Sequence, residues 1–521
     1  MTQPPPIATP SIAGYPPTHR QIATFVLILL IAGCLRFYHI ARPSLWMDEL
    51  WSIEMSAGRG SVHDHLPTGV IQTAPLNLTD ISTAPAWPKI WTHLNGYPHP
   101  PLYLLALRWW MDLFGTGPLA IRSLSAILSI AAIAVLFDLC RLLGPPRIAL
   151  LAAALMTLAI GQLDFAQEAR NYPMLILLTL GAADLLVRIE LFGVKPARTI
   201  GLVLLLSAAM LTHYLAAGAI AALGGYALIR LRAGARLAAI GAFAAAGLVV
   251  LAVWGYWLRG QIVSLPSVHP GYLSEPADHH VRFTFLRIIG LPGKFLFGES
   301  LAANMPAAVL LVAAFLAYVL PLLRIFRDRL SLLWLLWMFG TIGSAAVTDL
   351  VRGSILLDYL RYTILASPAV YAVLAAVDWP RRSILADAVP LLAIVLLAVL
   401  AGQRLAGGVE SKEDWRQLTG DLNRAADPDD LLVFYGDDPW ISPGTWYMAF
   451  NYYFPQSRHP WLVLSRPADA DLLHQLRTKK SVWLIGKFPG SDGPLVLPGW
   501  HLVGLEETTS AGAFCLMEPD E

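Results

Sequence analysis

The sequence predicts a polytopic α-helical membrane protein of about eleven transmembrane helices, followed by a small C-terminal α/β domain, and three observations lead there. The first is composition: 56% of the 521 residues are hydrophobic and only 14% are charged, which is far too apolar for a soluble protein of this size. The second is spacing, because crossing a hydrocarbon core takes about 20 apolar residues. Runs near that length lie at 22–40, 118–140, 147–163, 171–190, 198–213, 215–230, 237–257, 303–323, 330–348, 360–377 and 384–402. The third is the fall in hydropathy after Gly402, where helix-like and strand-like segments begin to alternate.

Taken in order, residues 1–21 are proline-rich, have no basic n-region before Arg20 and lead into an apolar run without a clear small-residue cleavage signal. They read as a short disordered cytoplasmic tail before an uncleaved first helix. Residues 41–117 form the first long external loop. Its segment 101–115, "PLYLLALRWWMDLFG", is apolar, but Arg108 and Asp112 interrupt it and Trp109 and Trp110 suit the headgroup zone, so an interfacial helix is expected rather than a span. The charge rule supports that choice. With eleven crossings and an internal N-terminus, Arg141 and Arg147, Lys195 and Arg198, Arg230, Arg232 and Arg236, Arg324, Arg327 and Arg329, and Arg381 and Arg382 all fall inside, as the positive-inside bias requires. Counting 101–115 as a span would put every cluster outside.

The net charge of +1 hides this segregation and implies no nucleic-acid partner. Cys34, Cys140 and Cys515 offer neither a pairing framework nor metal-type spacing, so no disulfide is expected. Asp278, His279 and His280 resemble a metal cluster, but adjacent histidines rarely chelate one ion, and no metal or cofactor is expected. In residues 403–521, "YGDDPW" and "GSDGP" lack the spacing and following helix of a phosphate loop. The domain is expected outside, as an acceptor-side or architectural module.

The same topology gathers acids on the outer face: Asp48 and Glu49, Asp164 and Glu168, Glu275 and Asp278, Asp349 and Asp358. Such a cluster is also the mirror image of the charge rule. Asp48 stands apart because "WMDELW" presses the pair between apolar aromatic neighbours, where an idle carboxylate is costly. Two adjacent carboxylates at a bilayer edge point to chemistry on a lipid-borne substrate.

Several motifs together carry a resemblance: "DE" after the first span, "HPPLYLL" from His99, "IRSLSAIL" opening the next span, "DFAQEARNY" between the third and fourth, "DYLRYTILASP" opening the tenth and "KEDWRQL" after the last. In order and side they resemble glycosyltransferase family 39 of the GT-C superfamily, which holds the protein O-mannosyltransferases and the lipid A aminoarabinose and galacturonic acid transferases. The resemblance covers the membrane part, 22–402. It implies a bacterial inner-membrane enzyme that takes a sugar from a polyprenyl-phosphate carrier and moves it, on the periplasmic side, to a glycolipid or protein acceptor.

Attack by a hydroxyl on an anomeric carbon needs a base, which one placed carboxylate supplies. Adjacent residues point about 100° apart on a helix and to opposite faces on a strand, so Asp48 and Glu49 cannot both address one hydroxyl. Asp48 matches the family's catalytic aspartate; Glu49 is expected to orient the acceptor, a backbone amide or a cationic neighbour. A lipid phosphate leaving group needs positive charge, which draws attention to Arg122, Arg170 and Arg361 at outer span ends, with Tyr172 and Tyr362 beside them. Such arginines are also ordinary snorkelling anchors. His99, where some relatives carry Lys, is expected at the donor phosphate or acceptor, or else among headgroups. His213 and Tyr214 either line the cavity or anchor at headgroup level.

One base and a good leaving group suggest single displacement with inversion. Retention would need a second carboxylate about 5–5.5 Å away, and Asp164 and Glu168 stay open for that. The rival readings are a lipid or solute transporter and a membrane scaffold, but internal repeats and mid-membrane charges, which transporters generally show, are not evident. The loops Ser61 to Trp91 and Gly260 to Ala302, where the acceptor is expected, carry no readable motif.

Overall fold

A computed structural model describes residues 17–94, 99–264, 280–323, 329–377, 385–407, 412–436, 441–465, 468–479, 481–486, 497 and 499–520. Glu275, Asp278, His279, Arg324, Arg327, Arg381, Arg382 and the "GSDGP" segment lie outside the described residues, as does most of the expected N-terminal tail.

Each of the eleven apolar runs is helical. The first helix, His19–Phe37, begins three residues ahead of the expected start at 22. Thr18 and Gln21 explain this, since each side chain bonds the other's backbone N–H, satisfying donors that a helix start leaves orphaned. By length and composition, five described helices suffice to cross a membrane: His19–Phe37, Pro118–Leu143, Ala233–Gln261, Leu330–Arg352 and Ala388–Ala406. A sixth crossing is added if Pro146–Leu158 and Ile160–Ala166 count as one. The expected eleven therefore divide into long straight helices and short or broken ones. Tyr172–Phe192 has the length but carries Asp184, Arg188 and Glu190, while Pro196–Thr212, Ala216–Arg230, Ala307–Leu322 and Leu360–Ala375 are short. The protein is multi-pass.

The break at Ala159 bends the chain by 61° and frees backbone carbonyls that lipid cannot satisfy. Fully buried Arg36 takes them, donating to the carbonyls of Thr157 and Met156 at 3.3 and 3.2 Å while Nε holds Ser129 at 2.9 Å. The bend aims the following turn at the end of the first helix. There Gln167 caps three terminal carbonyls, those of Leu35, Arg36 and Tyr38, at 3.1–3.3 Å.

At the opposite end of the bundle, the expected basic face is laced with acids. Arg141 and Arg188 flank Asp138, and Arg230 binds Glu190 at 2.9 Å. The segment 101–115 contains the helix Leu102–Phe114, which buries Leu104, Leu107 and Met111 and exposes Trp109, Leu113 and Phe114, an apolar outer face in keeping with an interfacial position.

The C-terminal domain follows the segmentation read from its sequence. It has strands β1 (Leu431–Tyr435), β2 (Trp461–Leu464), β3 (Val482–Gly486), β4 (Trp500–Thr509) and β5 (Gly512–Pro519), in the order β2-β1-β3-β5-β4. The first three are parallel and β5 and β4 add an antiparallel hairpin. Edge strand β2 is not left open: Gly69 and Gln72 of the first loop donate to the carbonyls of Val463 and Trp461 at 3.0 and 2.8 Å. Loop and domain share one core, in which Leu50, Ile53, Leu105, Trp415, Phe434, Trp446 and Trp461 pack together.

Candidate active site

The helix Met47–Ser56 carries both carboxylates in its first turn, where the helix dipole favours negative charge. Three contacts fix its start. Trp46 N–H donates back to Glu49 Oε2 at 3.3 Å, and Met47 N–H donates to Glu413 Oε2 at 2.7 Å. Arg416 N–H donates to Ser44 Oγ at 3.0 Å.

Glu49 is fully buried and bound on every side. Arg122 donates to both of its oxygens at 2.7 and 2.6 Å, and Ala169 N–H donates to Oε1 at 2.8 Å. This is a bidentate, charge-assisted pair. The remaining Arg122 N–H groups go to the carbonyls of Ile40, Pro43 and Ser44 at 2.8–3.0 Å. All five donors are consumed, so the phosphate contact expected of Arg122 has no donor left to make it; the residue holds the loop 40–44 against the helix instead. Of the partners expected for Glu49, a backbone amide and a cationic neighbour are the ones it contacts.

Asp48, 7% exposed, is held more loosely: its Oδ2 lies 3.3 Å from Arg170 Nη2 and 3.3 Å from Arg361 Nη1. Arg170 is aimed by Nη1, which donates to the Asp48 carbonyl at 2.9 Å and Ser52 Oγ at 3.1 Å. Arg361 is ringed by aromatics, with Tyr359, Tyr362 and Trp46 centroids 5.0, 5.3 and 6.0 Å from its guanidinium carbon. Asp48, Glu49, Arg122, Arg170 and Arg361 are thus brought together, with Tyr362 covering Arg361.

Tyr172 is buried behind Arg170, its ring 5.9 Å from the guanidinium and 4.9 Å from Phe165. His99 borders a small cavity with Ser52, Tyr103, Arg170 and Asn171 and meets His213 edge-on at 4.9 Å. Burial, reinforced by His213, Arg170 and Arg361, holds the His99 ring well below the usual histidine range. Tyr214 is an internal anchor, donating to Gln261 and accepting from Trp254 at 2.8 Å.

The other outer acids divide. Glu168 is paired with Lys412 at 2.6 Å, and burial raises its carboxyl against the pull of that lysine. Asp164 pairs with Arg404 at 3.3 Å. Asp349 caps a turn through Ser354, Leu356 and Leu357, and Asp358 pairs with Arg287 at 2.6 Å; neither joins the Asp48 cluster. Lys412, Glu413, Trp46 and Ser52 were not singled out from sequence. The quoted motifs "KEDWRQL" and "WMDELW" contain three of them, but only tertiary contact puts Lys412 4.0 Å over the Trp46 ring.

Residues 98–257 match the family model described as dolichyl-phosphate-mannose-protein mannosyltransferase. The chain resembles the GT-C glycosyltransferases. The matched stretch holds His99, Arg122, Arg170 and Tyr172, and the geometry joins them to Asp48, Glu49 and Arg361 outside it. A search of curated proteins finds no match. Among solved structures the chain is similar to ArnT from Cupriavidus metallidurans in the apo state, at 13% identity over 95% of this chain and 98% of that one, TM-score 0.45. The same protein bound to undecaprenyl phosphate gives 14% identity over 96% and 98%, TM-score 0.40. Archaeal oligosaccharyltransferase AglB from Archaeoglobus fulgidus, in complex with an inhibitory peptide and a dolichol-phosphate, gives 12% over 90% and 69%, TM-score 0.48.

Proposed function

We propose that this chain is a membrane glycosyltransferase that moves a sugar from a polyprenyl-phosphate carrier to a glycolipid or protein acceptor, with Asp48 as base. The observation that carries the reading is the Asp48 carboxylate set between two guanidinium groups at 3.3 Å, one next to the other at the end of the helix bundle. The matched family model, whose description names a dolichyl-phosphate-linked donor, supports the same class.

The geometry suits a single displacement. The acceptor oxygen attacks the anomeric carbon as the bond from that carbon to the phosphate oxygen breaks. Asp48 takes the acceptor proton, and the electron pair leaves with the phosphate, where Arg170 and Arg361 offset the charge that develops. Inversion follows, because Asp48 is the carboxylate of the pair held only at 3.3 Å, while Glu49 is tied to Arg122 at 2.6 and 2.7 Å. A product with the donor's anomeric configuration would overturn this and direct attention to Glu168 as nucleophile. We place the site, with the C-terminal domain, on the periplasmic face of a bacterial inner membrane, since the clustered arginines of the opposite end suit the cytoplasm. Incubating the purified protein with a polyprenyl-phosphate sugar tests the class: sugar release or transfer is expected, whereas a transporter leaves the donor intact.

A further inference from the structure

Of the cations around Asp48, Arg122 is saturated and its side chain is 3% exposed, Arg170 is 6% exposed and Arg361 16%. Lys412 is 49% exposed. It reaches the cluster from the segment that opens the C-terminal domain, and that segment is strapped down: Glu413 accepts from Met47 N–H at 2.7 Å and Trp415 Nε1 at 2.6 Å, and Arg416 donates to the Arg42 carbonyl at 2.8 Å. The Lys412 backbone is therefore fixed to the helix that carries Asp48, while its ammonium projects over the Trp46 ring at 4.0 Å. Arg361 lies against the same indole, at 6.0 Å. Two cations thus lie over one indole ring beside the candidate base.

We infer that Lys412 is a donor-phosphate-binding residue, so that the C-terminal domain supplies part of the donor site, with Glu168 serving to aim its ammonium. This rests on the reading of the chain as a polyprenyl-phosphate sugar transferase. An ammonium has three N–H donors. One goes to Glu168 at 2.6 Å, which leaves capacity for phosphate oxygens without breaking that pair. The phosphate passes from a diester of about one negative charge to a monoester of nearly two, so a cation placed on it is worth more after the bond to the sugar breaks than before.

The bland alternative is that Lys412 only neutralises buried Glu168, and the full-length protein can separate the two. Undecaprenyl phosphate is titrated into wild type, Lys412→Arg, and the double variant Lys412→Gln with Glu168→Gln, in which no buried charge is left alone; undecaprenol serves as the control ligand, and thermal unfolding is followed in parallel. The double variant is expected to unfold near the wild-type temperature yet bind the lipid phosphate about tenfold more weakly, with undecaprenol binding unchanged and Lys412→Arg close to wild type. Wild-type affinity in the double variant overturns the assignment alone. Failure of wild type to bind the lipid phosphate, or to release sugar from the donor, overturns the functional reading and the assignment with it.

Discussion

Asp48 and Glu49 are chain neighbours of the same chemistry with different hydrogen-bond supply. Glu49 receives four bonds, three of them at 2.6–2.8 Å, and is spent on structure. Asp48 is met through Oδ2 at 3.3 Å by two side chains that are themselves held elsewhere. Replacing Asp48 with Asn is expected to abolish transfer while membrane insertion and thermal stability stay near wild type; turnover at the normal rate would remove it from the mechanism. Arg122→Ala should do the reverse kind of damage. It leaves Glu49 ionised and unpaired in a buried site, at a cost of about 3–5 kcal/mol, read as loss of folded protein in detergent. Lysine should not rescue it, because a point charge cannot reproduce five directed bonds. A cationic neighbour among the partners open to Glu49, and an arginine opening the next span, were legible in the sequence. Which carboxylate the arginine would take was not, because that depends on how the first helical turn faces the neighbouring span.

At the scale of elements, the turn "DFAQEARNY" shows how a run of loop residues becomes a joint. Gln167 closes the first helix, Glu168 holds Lys412, Ala169 N–H binds Glu49 and Arg170 reaches Asp48. The helix Met47–Ser56 is anchored at its far end as well. Glu54 accepts from His63 N–H at 2.9 Å and contacts His63 Nδ1 at 2.5 Å. Burial disfavours the His63 cation, but Glu54 outweighs it and the pKa is raised. The pair's contribution is therefore complete below the ordinary histidine range and is lost as pH climbs through the raised folded value. Unfolding temperature should fall over that interval in wild type and less steeply in His63→Gln; equal slopes would contradict the assignment. The His63 carbonyl also abuts Gly444, where a Cβ would lie 2.0 Å from the oxygen. Gly444→Ala should cost about 1–3 kcal/mol, seen as a lower unfolding temperature. Periodicity located the strands of the C-terminal domain, but gave no sign of the helix Met47–Ser56 or that the loop after Ser61 would bind the edge of β2.

Across the whole molecule, one core lies among the apolar helices and another joins the first loop to the C-terminal domain. Inside the first, Gly218 and Gly340 let two helices touch backbone to backbone. A Cβ on either would stand 2.4 Å from the other's carbonyl oxygen, the close approach that small residues permit in membranes. Gly218→Val is expected to lower the yield of folded protein in detergent, whereas valine at Gly225, which has open space around it, should be tolerated. The proposed orientation gives a separate test. In a background without Cys34, a membrane-impermeant maleimide should label His501→Cys, at an exposed C-terminal-domain position, in cells with a permeabilised outer envelope. Lys195→Cys should label only after the inner membrane is opened. The opposite pattern would reverse the topology.

Composition and hydropathy by themselves determined the membrane class, the helical runs and the division of the C-terminal part into helical and extended segments, because burial in lipid or in a sheet is written into local apolar patterns. They did not show that Asp184 is met by Arg188 on its own helix, or that the break at Ala159 is offset by Arg36, far back along the chain. Only the tertiary structure decided the site. It spent Arg122, separated Asp349 and Asp358 from Asp48, and brought Lys412 and Glu413 to a helix more than 350 residues earlier. Hydrogen-bond saturation and ion pairing are properties of side chains that meet in space, and the linear order of residues does not contain them.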